Sequence, residues 1–370
     1  MADAPIVFEE LPAQAGMLGR VTLNVPATLN SLTLEMVDLL EEKLQQWRED
    51  ADIAAVFIEG SGDKAFCAGG DVQALYRSAV ATPGGPCDYA ESFFTREYRM
   101  NYTLHTYRKP LICWGNGIVM GGGLGVMAGC SHRVVTESTR IAMPEVTIAL
   151  FPDVGGSWFL NHMPGKSGHF LALTGASINA ADALYTGLAD RFIVSEHKAA
   201  VLASLQQQKW SDHDEENHGL VMHVLRGFAA QSIGSCPAGQ VEPHMGTIAR
   251  LCDGDNVHAV IDNITGQQTE DPWLARARDS LAHGSKLAAL WIERQLWETR
   301  HASLREVFQA EIQLATNIVR HPEFAEGVRA LLIDKDRQPS WQFRSSREIP
   351  DEVLGSFFTA PWEQNPLAHL

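Results

Sequence analysis

Two acids stand out by their company. The segment Met143 to Gly156 reads MPEVTIALFPDVGG, and its only acids, Glu145 and Asp153, each directly follow a proline. A carboxylate among so many apolar neighbours is expected to be partly desolvated. That lifts its pKa and fits it for work as a general base or nucleophile. The plainer reading is an acid that caps a helix or joins an ion pair. Two of them so close together, after two glycine turns, favour chemistry. Glu97, in EYRMNY, is a weaker candidate, because a lone glutamate on a helix usually faces solvent.

The glycine turns admit three readings. Residues 66–71 (FCAGGD) and the triple glycine 121–123 each follow an apolar run. Gly123-Leu-Gly125-Val-Met-Ala128, with Glu145 about twenty residues on, has the outline of a dinucleotide site. Against it, the acid follows Met143-Pro144, and proline fits an interior strand end poorly. The bland alternative is close packing of a helix on a strand. In the third, backbone N–H groups of both turns converge on one oxygen and stabilise a thioester oxyanion or an enolate. Glycine lets a substrate approach the backbone.

Other chemistries find little support. The fourteen histidines form no motif. His213, His218 and His223 are spaced by five residues, which does not keep them on one helical face, so they read as surface histidines rather than a metal cluster. There is no GxSxG elbow and no phosphate-binding P-loop. The six cysteines form no CxxC pair and no ligand spacing, as expected of reduced thiols.

The elements that must hold these residues follow from pattern. Gly19–Val25 alternates as a half-buried strand, and Thr33 caps a helix with Met36, Val37, Leu40, Leu44 and Trp47 on one face. Apolar runs at Ala54–Ile58 and Leu111–Trp114 predict buried strands, with helices from about Val72, over Glu91–Tyr107 and from Leu124. Strand and helix recur through the first ~200 residues as stacked strand–strand–helix units. From 200 to 283 the pattern weakens, which suggests an inserted helical part or a lid. Helical spacing returns over 285–320, and Pro339 onward reads as an irregular surface tail. The expected parts are a core over 1–200, a variable helical region over 201–284, and C-terminal helices and tail over 285–370 that cover the active site.

The chain has 370 residues, 45% hydrophobic, enough to bury a sizeable core. With 45 acids against 29 bases its formal net charge is −16, which repels phosphate backbones and argues against nucleic-acid partners. Pro110–Ser131 carries no formal charge, but its seven glycines suit a strand, loop and helix start better than a membrane span. The start, MADAPIVFEE, lacks leader character, so a cytoplasmic location is expected.

Four long segments carry a resemblance: AFCAGGD (65–71), GNGIVMGGGLG (115–125), AMPEVTIALFPDVGGSWFL (142–160) and LTGASINAADALYTGLAD (173–190). They resemble the enoyl-CoA hydratase/isomerase (crotonase) superfamily, and HPEFAEGVRALLIDKDRQPSW (321–341) is similar to a signature of its acyl-CoA thioester hydrolases. The resemblance implies an α/β fold, a ClpP-like spiral of ββα units with a helical C-terminal region. It implies an oxyanion hole on the N–H groups of Ala68 and Gly122, with Glu145 and Asp153 as the acids of the MPE and FPD motifs. Substrate contacts are implied at Glu97, Gly121, Gly70 and Asp71. Hydratases of the family carry a second catalytic glutamate where this chain has Gly125, so hydration is disfavoured. The implied reaction is hydrolysis of a 3-hydroxyacyl-CoA thioester, foremost 3-hydroxyisobutyryl-CoA, as in valine catabolism. An enoyl-CoA hydratase/isomerase or a non-catalytic acyl-CoA-binding protein are the alternatives. The partner expected is the acyl-CoA itself, with no membrane and no separate cofactor, since coenzyme A belongs to the substrate. A homo-oligomer stays open, as do the bases that hold the phosphates, with Lys64, Lys335 and Arg337 as candidates.

Overall fold

The computed structural model describes residues 4–370; the first three residues of the N-terminal stretch read above lie outside the described residues. The chain opens with β1 (Ile6–Pro12), β2 (Met17–Leu23), α1 (Leu34–Glu49), β3 (Ile53–Gly60), β4 (Ala65–Cys67), α2 (Val72–Ala81) and α3 (Asp88–His105). Next come β5 (Leu111–Gly115), β6 (Ile118–Met120), α4 (Gly122–Gly129), β7 (His132–Val135) and β8 (Arg140–Ala142). A 3₁₀ turn (Glu145–Ile148) leads to α5 (Gly156–Asn161), α6 (Ser167–Thr174), α7 (Ala180–Tyr185) and β9 (Arg191–Phe192). The remainder is helical: α8 (Lys198–Gln206), α9 (Asp214–Ser232), α10 (Val241–Leu251), α11 (Val257–Gly266), α12 (Pro272–His283), α13 (Lys286–Thr299), α14 (Leu304–Arg320), α15 (Pro322–Val328) and α16 (Asp351–Phe357).

A six-stranded sheet has the order β1-β2-β3-β5-β7-β9, and a three-stranded sheet the order β4-β6-β8. Only the β1–β2 hairpin of the larger sheet is antiparallel; β2–β3, β3–β5, β5–β7 and β7–β9 are parallel. Along the chain a strand of the large sheet is followed by a strand of the small sheet and then a helix: β3-β4-α2, then β5-β6-α4. This is the ββα order expected. Every residue of β3 and β5 is buried. That explains their continuous apolar runs, which a strand covered on both faces requires.

The chain forms two compact units that interleave in sequence: residues 1–70, 100–141 and 178–242, and residues 71–99, 142–177 and 243–370. The sequence boundaries expected near 200 and 284 fall inside these units.

In the first unit, Thr33 caps α1 as expected, its hydroxyl accepting from the Met36 N–H at 3.2 Å. The Trp47 ring lies over Gly19, where a Cβ would come within 2.8 Å of it, and meets Phe8 edge-on. The part of the segment after 200 that belongs to this unit, α8 and α9, packs into its core. Val201 and Leu205 of α8 and Val221, Val224 and Leu225 of α9 share one core cluster with Phe57, Ile112 and Trp114. The weak apolar pattern of α9 reflects a single buried stripe on a long, otherwise solvated helix.

In the second unit, α13 and α14 are separate helices, with Ser303 capping α14 through a reciprocal bond with Glu306. The tail beyond Pro339 is pinned rather than loose. The Trp341 indole donates to the His283 carbonyl at 2.7 Å, Asn317 donates to the carbonyls of Phe357 and Thr359, and Leu367 is fully buried. No helix among the described residues is long and apolar enough to cross a membrane.

One side chain ties the first glycine turn to its surroundings. Asn30 is fully buried, accepts from the Val25 N–H at 3.0 Å and donates to the carbonyls of Ser61 and Ala65, each at 3.0 Å. Its φ of 57° lies in the left-handed region that asparagine tolerates better than most residues. Asn30→Ala should therefore lower stability by about 2–4 kcal/mol, through three unmet backbone groups and an unfavourable φ. Urea unfolding of the two proteins side by side measures this.

Candidate active site

Residues 66–70 of the first glycine turn and 121–123 of the second lie in the first unit, where the two turns meet. A Cβ built on Gly69 (φ 113°) would sit 3.4 Å from the Met120 carbonyl and 3.8 Å from the Gly122 nitrogen. A Cβ on Gly123 would fall 2.3 Å from the Cys67 carbonyl oxygen, so only glycine permits this approach. Gly121 (φ 48°) turns the chain into α4, its carbonyl accepting from the Leu124 and Gly125 N–H groups. The dinucleotide outline is a packing device: α4 is buried throughout, and Glu145 sits on a 3₁₀ turn, not at a strand end.

The expected pair of amides needs one correction. The Ala68 N–H already donates to the Leu29 carbonyl at 3.0 Å, so it is not available to a ligand. The Gly70 N–H, two residues on, donates to no acceptor among the described residues, and the same holds for the Gly122 N–H. Gly122 is buried. A buried backbone N–H without an acceptor is rare in folded proteins and marks a place where a ligand oxygen fits. Spacing along the sequence did not separate Ala68 from Gly70; the hydrogen bond from the 26–32 loop does.

In the second unit three carboxyl groups gather. Glu97 on α3, Glu145 at the start of the 3₁₀ turn and Asp153 before α5 are 2%, 5% and 4% exposed. Burial is the first cause that lifts each of them. Asp153 then lifts Glu97 and Glu145 further, and Glu145 adds to Glu97. Glu97 and Glu145 are both held well above the usual carboxylate range. Asp153 rises from 3.8 to about 6, burial winning over the hydrogen bond it accepts from the Tyr98 hydroxyl at 2.7 Å. Glu97 Oε1 and Glu145 Oε2 have no hydrogen-bond partner among the described residues. No cation is among the groups that shift these three acids, so they are not an ion-pair network. Glu97 is therefore buried, not on a solvated face.

Local sequence explains the placement. Pro144 opens the 3₁₀ turn and Ala149, at φ 51°, closes it, with the Leu150 N–H returning to the Glu145 carbonyl at 2.9 Å. The Ser285 N–H donates to the Val146 carbonyl, and Gly327 of α15 packs on Ile148 so closely that a Cβ would lie 2.5 Å from its backbone. The turn is thus fixed from two sides and Glu145 has little freedom. Asp71 is occupied as the N-cap of α2, accepting from the Ala74 N–H at 3.1 Å.

Two polar residues of this site were not singled out in the sequence. Tyr98 is the neighbour of Glu97 in EYRMNY. Glu311 is fully buried on α14 among Val307, Phe308, Ile312 and Leu314. An acid on so apolar a stripe is a readable signal that it has a partner. The histidine expectation holds for His213 and His223, which are exposed, but His218 pairs with His132 at 2.9 Å in the first unit. No group of three or more potential ligands is placed to hold a metal among the described residues. Of the candidate phosphate-binding bases, Lys64 lines a cavity of about 300 Å³ with Pro26, Leu29, Asn30 and Asp63. Lys335 and Arg337 are exposed, after a π-helical turn at Arg329–Ile333.

Comparison with known proteins identifies relatives of this chain over nearly its whole length. The family model described as enoyl-CoA hydratase/isomerase matches residues 18–358. A protein of Xenopus tropicalis named mitochondrial 3-hydroxyisobutyryl-CoA hydrolase is 36% identical over 352 residues, covering 95% of this chain and 89% of its own. The human protein of that name is 35% identical over 351 residues, covering 95% and 88%. Among solved structures, a carnitinyl-CoA dehydratase from Mycobacterium thermoresistibile superposes with a TM-score of 0.86 at 30% identity over the whole of both chains. An enoyl-CoA hydratase from Rhodobacter sphaeroides 2.4.1 gives 0.83 at 31% identity, over 97% of this chain and 98% of its own.

The raised carboxyls make stability depend on pH with a definite sign. Folding favours the protonated form of Asp153, so its contribution is whole below the unfolded value of 3.8 and is lost as pH rises through about 6. Asp153→Asn, neutral at every pH, should raise the melting temperature by a few degrees near pH 8 and by much less near pH 4. Differential scanning calorimetry of both proteins at the two pH values tests this; equal shifts at both would contradict it.

Proposed function

The chain belongs to the enoyl-CoA hydratase/isomerase family, and from that premise we propose that it hydrolyses a 3-hydroxyacyl-CoA thioester, foremost 3-hydroxyisobutyryl-CoA, to the free hydroxy acid and coenzyme A. The observation that carries this reading is the uncompensated burial of Glu145 beside Asp153, with a Glu145 oxygen left unpartnered. Relatives named for this reaction, matching over nearly the whole chain, support it.

In the proposed reaction the thioester carbonyl oxygen accepts from the Gly70 and Gly122 N–H groups. Glu145 either takes a proton from an attacking water or attacks the carbonyl carbon to give a mixed anhydride that water then opens. Electron density moves onto the carbonyl oxygen, where the two amides stabilise the tetrahedral anion. In the general-base route the C–S bond then breaks and the sulfur takes the proton that Glu145 gained from water, leaving as the thiol; in the anhydride route the sulfur leaves as thiolate, and the water that opens the anhydride supplies the proton. A desolvated carboxyl with a raised pKa holds a gained proton more firmly than a solvated one, which suits it to act as the base.

Asp153 binds the substrate 3-hydroxyl as an acceptor in this reading. A substrate without that hydroxyl leaves a buried carboxyl short of a partner, which is costly and so selects against it. Glu97 is a further polar contact in the acyl pocket, and Lys64 the base for the coenzyme A phosphates. Gly121 shapes the second turn, and Asp71 serves through its cap on α2. The reaction as written asks for nothing beyond substrate and water, coenzyme A being part of the substrate. We read the compartment as cytoplasmic; the six free thiols support a reducing one, and the named relatives are mitochondrial.

Two measurements test the reading. Glu145→Gln should lower the rate of thiol release from 3-hydroxyisobutyryl-CoA by about two to four orders of magnitude; an unchanged rate removes Glu145 from the mechanism. Incubation with crotonyl-CoA should release no thiol and leave the enoyl absorbance intact. Loss of that absorbance without thiol would make the protein a hydratase instead.

A further inference from the structure

The segment that carries Asp153 is held in an unfavourable shape. Val154 has a φ of 54°, in the left-handed region, where a β-branched residue is a genuine outlier. Gly155 follows at φ 84°. Such strain persists only where neighbouring groups over-determine the backbone.

One side chain supplies that restraint. Glu311 Oε2 accepts from the Gly155 N–H at 2.7 Å, and Glu311 Oε1 accepts from the Ser157 N–H at 2.9 Å. The two amides flank Gly156, whose own N–H donates to the Asp153 carbonyl at 2.7 Å. The three bonds close the turn from Asp153 to Ser157 as a unit. Glu311 itself is fully buried on α14, so it has no water to exchange with. Burial pushes its carboxyl up to about 8, while the two N–H groups pull it back. A buried acid at this position is expensive to keep. A packing residue would serve α14 better, since its neighbours Val307, Phe308, Ile312 and Leu314 are all apolar and buried.

We propose that Glu311 is a positioning residue that fixes the Val154–Ser157 backbone and thereby aims the Asp153 carboxylate, setting the preference for acyl groups that bear a 3-hydroxyl. The inference rests on the reading of Asp153 given above. Tyr98 fixes the far end of the same carboxylate, so Asp153 is held from both its side chain and its backbone. Glu311 makes no contact with substrate in this scheme; it acts through Asp153 alone.

The test is a double-mutant cycle read as selectivity. The ratio of kcat/KM for 3-hydroxyisobutyryl-CoA to that for isobutyryl-CoA is measured in the parent, Glu311→Gln, Asp153→Asn and the double variant, with melting temperatures in parallel. The near-isosteric glutamine presents an NH2 to one of the two N–H donors and so breaks one bond of the clamp. Glu311→Gln should lower the ratio about tenfold or more, and the double variant should be no less selective than Asp153→Asn alone. A purely structural role would lower both rates together and leave the ratio intact, and that result overturns the inference. So does a double variant whose losses multiply. If Asp153→Asn keeps the parent ratio, the hydroxyl-binding reading of Asp153 falls and this inference with it, a result distinct from the previous two. Should Glu311→Gln fail to fold, Glu311→Asp, a carboxylate one methylene short of the amides, is read in the same way.

Discussion

Three carboxyl groups buried together with no cation among their perturbing groups define what the second unit must do. Like charges so placed oppose one another's ionisation, and burial raises each before any neighbour acts. The protein tolerates this because the surrounding polar groups are fixed in advance: the Tyr98 hydroxyl on Asp153, Glu311 on the turn behind it, and the 3₁₀ turn that Ser285 and Gly327 hold at Glu145. None of these would be arranged so for stability alone. An apolar residue at 145, 153 or 311 would pack without the desolvation penalty. The retained acids read as stability given up for chemistry, as expected where an active site departs from local rules.

The first unit solves the complementary problem. An anion in an acidic protein with a net charge of −16 finds no help from the overall field. On the reading proposed above, backbone N–H groups, which act at short range and carry no formal charge, would stabilise a transient oxyanion without attracting a permanent counter-ion. Leaving two of them unpaired requires the chain to come close without side chains in the way. Gly69 and Gly123 do this, and the loop around Asn30 holds the first turn by satisfying its other polar groups, the Ala68 N–H included.

Much of this was legible in the residues. The two acids of MPEVTIALFPD and the two glycine turns stood out by type and spacing, and the continuous apolar runs predicted buried strands. What could not be read was which peptide group is free. Ala68 and Gly70 differ only in whether a carbonyl from a loop some forty residues upstream reaches them, and that is a tertiary fact. Glu97 looked like a surface acid because helical periodicity shows a stripe but not what lies opposite it. Glu311 was the converse: an acid on an apolar stripe, legible in principle, but without meaning until its partners, the Gly155 and Ser157 amides, were known. The tail after Pro339 read as irregular because its anchors, the His283 carbonyl and Asn317, lie on other elements.

The position of the acids bears on which reaction the family framework supports. Hydration of an enoyl thioester needs two carboxylates around one water, and where the resemblance implies the second of them this chain has Gly125, on α4. A glycine there removes a proton donor from the helix that offers the Gly122 amide. Asp153 does not replace it in kind. It is engaged by Tyr98 and carried on a strained, clamped turn, a geometry suited to recognising a fixed hydroxyl rather than to relaying protons to a mobile water. With Glu145, the acid of the MPE motif, keeping an unpartnered oxygen, the proposed chemistry that needs only one proton carrier and a good leaving group is favoured. Thioester cleavage meets that description, because the departing thiolate is stable enough to leave without a second acid poised beside it.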